Sequence, residues 1–134
     1  DNHVELAAAP EETKKKILTA FTDPERLRKS HPGRPWVCNV YALHKYFTPD
    51  QTDEIYEQCT QGTRGCVDCK GILADGVNAR LADLRDKRRD LEKHPDYVQD
   101  ILLDGANRAK EIARATLEEV QEKMGLSSAT LEGK

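Results

Sequence analysis

The chain has 134 residues, 34% of them charged and 37% apolar, with a net charge of −3. That length holds one domain, or one domain and a piece of another. The charge gives no global electrostatic case for nucleic acid, so any RNA contact must come from a local basic face. No apolar run approaches the roughly 20 residues of a membrane span. No secretion signal is visible and the first residue is Asp1, not Met, which reads as a fragment or processed chain in a reducing, cytoplasmic compartment.

Residues 1–9 read as irregular. Pro10 then suits a first helical turn, with Glu11 and Glu12 at the positive dipole end and Lys14, Lys15 and Lys16 toward the other. Ile17, Leu18 and Phe21 supply its apolar face, and Thr22, Asp23 and Pro24 stop it. Residues 30–35 hold two prolines and a glycine and read as a boundary loop. A second helix is predicted over about 36–47, where Val37, Val40, Tyr41, His44 and Phe47 recur at helical spacing. Thr48, Pro49, Asp50 and Gln51 have capping-box form and open a helix carrying Ile55, Tyr56 and Cys59, which Gly62 ends.

A long helix is predicted from about Cys66, with a core stripe of Leu73, Val77, Leu81, Leu84 and Leu91. Gly71 and Gly76 weaken it and allow close packing. His94 and Pro95 end it. The last helical stretch spans about 96–124, with a break at Asp104 and Gly105. Its inner face is Val98, Ile101, Leu102, Ala109, Ile112, Ala113, Thr116 and Val120, and Gly125 caps it. Residues 127–134 read as a disordered tail. No stretch reads as a strand, so the fold class is all-α, a helical bundle.

Four cysteines, Cys38, Cys59, Cys66 and Cys69, are spaced C-x20-C-x6-C-x2-C, and there are no others. The last two sit at the positive end of the long helix, where thiolate charge is favoured. Four thiolates can hold zinc tetrahedrally or hold a 4Fe–4S cube, and spacing does not separate the two. The competing readings are four ordinary buried cysteines, or two disulfides. His31 and His44 are weaker substitute ligands, His44 reading first as a packed histidine.

The cations Arg80, Arg85, Lys87, Arg88 and Arg89 alternate with Asp83, Asp86 and Asp90, the pattern of a solvated helix face with i,i+3 and i,i+4 pairs. Arg64, Lys70 and Lys45 gather near the cysteines, where a metal-fixed loop can aim them at a phosphate or base edge. Arg64, Lys70 and Arg80 are the candidate RNA contacts. No catalytic set and no phosphate loop can be assembled.

Several segments together resemble the bacterial tryptophanyl-tRNA synthetases. They are residues 1–17 with 19–24; Gly65, Cys66, Val67, Asp68, Cys69 and Lys70 with Leu73 and Ala74; residues 101–106; residues 116–120; and Met124, Gly125 and Leu126. The resemblance implies that residues 1–30 close the Rossmann-type class I catalytic domain just after its signature loop. It implies that residues 31–126 form the helical domain that binds the anticodon of tryptophan tRNA. Some members of that family carry a 4Fe–4S cluster on a C-x22-C-x6-C-x2-C pattern; this chain matches the last two gaps and is two residues shorter in the first. On that ground the cluster is preferred to zinc. The whole enzyme would use ATP to join tryptophan to its tRNA, as a homodimer paired mainly through the catalytic domain, with no membrane or DNA partner. The cluster would be structural or regulatory, and the fragment alone inactive. The rival readings are a stand-alone structural or redox-sensing metal module, and the sister tyrosyl-specific enzyme.

Overall fold

The computed structural model describes residues 3–126, and among these only helices, turns and loops occur. The expected tail at 127–134 lies outside the described residues. Two compact units are present, divided between Arg88 and Arg89. The boundary expected near Ser30 falls inside the first unit, whose core joins Ile17 from one side of it to Val40, Leu73, Ala74 and Val77 from the other.

In the first unit, α1 spans Pro10–Leu18 with Pro10 in its first turn, Glu11 and Glu12 at its start and Lys15 and Lys16 at its end. The Glu12 carboxylate accepts the Ala9 N–H at 3.3 Å, satisfying a donor that the helix start leaves open. Thr13 and Ile17, four residues apart on one face, are its buried side chains. After a short 3₁₀ turn at Pro35–Val37 come α2 at Asn39–Phe47, α3 at Thr52–Thr60 and α4 at Cys66–Leu91.

Two helix starts differ from the sequence reading. The helix expected from Trp36 begins at Asn39, because Cys38 is extended (φ −95°, ψ 115°) and separates it from the 3₁₀ turn. The capping box expected at Thr48 does not form. Its hydroxyl lies 2.6 Å from His44 Nδ1 instead, and Pro49–Gln51 is a 3₁₀ turn ahead of α3.

α4 supplies the centre of the core. Leu73, Ala74 and Val77 are buried and Leu81 packs against them, but Leu84 and Leu91 are exposed. One turn past Leu81, apolar packing gives way to a polar tie. Arg85, expected on a solvated face, is buried, and its guanidinium donates to Leu6 O at 3.1 Å, Asn78 Oδ1 at 2.7 Å and Thr13 Oγ1 at 2.8 Å. A buried guanidinium needs such acceptors, and two of the three, Leu6 O and Thr13 Oγ1, come from the N-terminal segment and α1, which helical spacing within α4 does not reveal. Of the two α4 glycines, only Gly76 marks a close approach: a Cβ there would strike the Thr48 methyl and stand 2.9 Å from Phe47 O, whereas Gly71 faces open space.

The second unit is built on α5, Pro95–Lys123. His94 before it has φ −127° and ψ 60°, outside the helical region, as a residue preceding proline prefers. The break expected at Asp104 and Gly105 is absent. One glycine costs a helix about 1 kcal/mol, too little to interrupt one with good helix formers on both sides, and the Asp104–Arg108 ion pair spans the position at 3.2 Å. No α5 residue is buried, so the expected inner face has the right period without a covering layer in its own unit.

Candidate metal centre

The four cysteines come from three places in the first unit. Cys38 precedes α2, Cys59 is near the end of α3, and Cys66 and Cys69 lie in the first turn of α4. Their thiols are free and half-buried, and all four line one cavity of about 20 Å³, walled by the apolar Val40 and Ile55 and by Arg26 and Arg64.

The loops are shaped to bring them there. Gly33 N–H donates to Cys59 O at 2.8 Å. A Cβ at Gly33 would stand 2.6 Å from Cys59 Sγ, so only glycine lets this strand of loop pass against the thiol. The preceding loop is organised by Asp23, which is buried and accepts from Arg34 Nη2 at 2.7 Å, from the Arg34 N–H at 2.9 Å and from the Glu25 N–H at 3.1 Å. The Arg34 guanidinium holds the Asp23 carboxyl at about 2, well below the usual carboxylate range, although burial opposes that shift.

Inside the cavity, burial dominates. It pushes the Cys69 thiol up to about 12 and raises Cys59 as well, the latter opposed by Arg26. Without a bound cation burial therefore favours S–H at Cys59 and Cys69. A metal that displaces those protons would exchange buried neutral thiols for thiolates already gathered around one space.

The fit to a metal group rests on this donor set. Four thiols with no spare member share one apolar cavity with a half-buried cation, Arg26. Its Nη1 lies 3.5 Å from Cys59 Sγ and 3.8 Å from Cys66 Sγ, and its buried Nε has no acceptor. A cavity of this size admits about one water-sized body, so a larger centre must part the thiol side chains on entering. Among the described residues no three His, Cys, Asp or Glu groups already converge on a single ion.

The other predicted groups are placed as follows. His44 is fully buried and packed: Nδ1 meets Thr48 Oγ1, and Nε2 lies 3.2 Å from both Cys69 O and Cys69 Sγ. Burial lowers its pKa and favours the neutral ring. It thus braces a cysteine rather than adding a fifth donor. His31 is half-buried in its loop and does not line the cavity. Arg64 does line it; its side chain is 15% exposed and is held by Gln58 Oε1 at 2.7 Å and Glu54 Oε1 at 3.3 Å. Lys70 Nζ donates to Leu18 O at 2.9 Å, at the C-terminal end of α1, and Arg80 is exposed on α4. Lys45 sits 5.3 Å from the centre of the Tyr41 ring. Arg26 carried no signal in the sequence, because it lies in the irregular connection between α1 and the 3₁₀ turn at Pro35–Val37 and reaches the cysteines only through the fold.

The profile of the family described as tRNA synthetases class I (W and Y) matches residues 1–82. The chain belongs to that family. This class I synthetase chain is 40% identical over 127 residues to the tryptophan–tRNA ligase of Aquifex aeolicus, covering 93% of the chain and 32% of that relative. It is 35% identical over 127 residues to the tryptophan–tRNA ligase of Thermotoga maritima, covering 93% and 39%. Its backbone is similar to the crystal structure of Campylobacter jejuni tryptophanyl-tRNA synthetase complexed with ADP and tryptophan: TM-score 0.80, 27% identity, 93% of the chain and 39% of the other. The chain spans between about a third and two fifths of the length of these tryptophan-specific relatives. No helix among the described residues is long and apolar enough to cross a membrane.

Proposed function

We propose that this chain is the C-terminal, anticodon-binding portion of a tryptophan–tRNA ligase, and that it forms no product by itself. The observation that carries the reading is the alignment of 93% of the chain with ligases of that specificity. The whole protein would form tryptophanyl-tRNA from ATP, tryptophan and tRNA as a homodimer in the cytoplasm. Cys38, Cys59, Cys66 and Cys69 would hold a 4Fe–4S cluster, with zinc as the alternative. Bound there, the group would cross-link α2, α3, α4 and the loop at 61–65, a structural contribution, since metal binding adds to folding free energy. Aminoacylation moves no net electrons, so none is routed through it.

Arg64, Lys70 and Arg80 would contact tRNA phosphates near this site, where cations hold the backbone while loop bases are read by stacking and edge hydrogen bonds. Replacing each with Ala in the full-length, metal-loaded protein is expected to weaken tryptophan tRNA binding and to reduce the dependence on salt by about one ion per contact. Exposed Arg114 serves as the control. If all three variants bind like Arg114→Ala at two salt concentrations, the surface is assigned wrongly. If the parent protein binds tryptophan tRNA no better than another tRNA, the functional reading itself is wrong.

A further inference from the structure

We propose that Arg26 is a charge-compensating residue for the metal centre, donating N–H···S hydrogen bonds to Cys59 and Cys66. The inference rests on the reading of the four cysteines as a metal site.

The geometry that carries it is the way the guanidinium is pinned. Nη2 donates to two backbone carbonyls, Lys29 O at 2.7 Å and Arg64 O at 2.6 Å. Those two bonds use both of its protons and tie the loop after α1 to the loop before α4. With that end fixed, Nη1 comes to lie against the sulfurs of Cys59 and Cys66. The neighbouring cations are differently employed. Arg34 is paired with Asp23 and Glu25, Arg64 with Glu54, and Lys29 with Asp68. Arg26 meets carbonyls and thiols, and its buried Nε finds no acceptor in the protein.

A guanidinium does not lose its proton in a protein, and a buried charge is costly unless paired. Thiols are weak acceptors and leave this half-buried charge poorly compensated. Four thiolates around two positive charges of zinc, or around an oxidised 4Fe–4S core, carry a net charge of about −2. A fixed cation on two of the sulfurs stabilises that anion. In a cluster it stabilises the reduced state, with one more negative charge, further still, because hydrogen bonds to sulfur and local charge set the potential. Arg26 thus belongs to the segment before residue 31 yet serves the cysteines after it, coupling the two parts through the metal.

The test compares full-length protein with its Arg26→Gln and Arg26→Lys variants after anaerobic reconstitution with ferrous iron and sulfide, and separately with zinc. Iron, sulfide and zinc content, the rate of metal release to a chelator, and the cluster midpoint potential are measured. Arg26→Gln is expected to release metal roughly tenfold faster, the lower end of what losing an outer hydrogen-bond partner costs, and to lower the midpoint potential. Arg26→Lys keeps the charge but has one donor nitrogen, so it should fall between. Thermal melts of the metal-free proteins isolate the loop contribution of the two carbonyl bonds, which a potential does not report. Release rates and potentials equal to those of the parent overturn the role of Arg26 and leave the metal site standing. A parent protein that takes up neither group overturns both.

Discussion

The cysteine-bearing unit and α5 were written in the same helical code, but only one of them buries what it codes. α4 places Leu73, Ala74 and Val77 wholly inside the core, while on α5 Ile101, Leu102, Ile112 and Val120 remain at least 45% exposed despite clear amphipathic spacing. Periodicity specifies which side of a helix is apolar. Whether that side is covered depends on whether a second layer exists within reach, and the described residues of the second unit supply none.

The widest separation between the two regions should appear in large-to-small substitutions. Leu73→Ala is expected to cost about 2–5 kcal/mol, because it removes transfer energy and leaves a cavity. Ile112→Ala, at 71% exposure, should stay within about 0.5 kcal/mol. Urea unfolding of both variants measures the difference. Equal costs would mean that α5 is covered in solution and would abolish the contrast.

Glycine replacements sharpen the comparison at intermediate size. Gly76→Ala should destabilise by about 1–3 kcal/mol through overpacking against Thr48 and Phe47. Gly105→Ala in α5, where nothing lies within 4 Å of the added methyl, should stabilise by up to about 1 kcal/mol through helix propensity. Opposite signs in thermal melts are the expected result; the same sign at both positions breaks the distinction between packed and open helix.

The smallest contrast concerns charge. Asp23, held at about 2 by Arg34, has a folded pKa below its unfolded value of about 3.9. Its contribution to stability is therefore present above about pH 4 and is lost as pH falls toward 2. Acid titration of the first unit should show this dependence, and Asp23→Asn should flatten it. The exposed Asp104–Arg108 pair on α5 should contribute no more than about 0.5 kcal/mol, as i,i+4 surface pairs do. Unchanged acid sensitivity in Asp23→Asn would remove Asp23 as the organiser of its loop.

What the chain order of residues determined by itself was local. Helix positions followed from apolar spacing, proline stops and the charge bias at α1. The start of α4 at Cys66 was legible because Gly62 and the turn at 61–65 end the preceding helix with φ +72° at Gly62. The grouping of four cysteines was visible as a count and a spacing. Tertiary structure alone decided what those residues meet. Arg85 turned inward because its acceptors come from Leu6 and Thr13, more than 70 positions away. Thr48 gave up its cap because His44 lies one turn behind it. Arg26 reached Cys59 and Cys66 across 33 and 40 residues. Contacts of this range depend on chain closure, not on period, and no spacing rule within one helix encodes them.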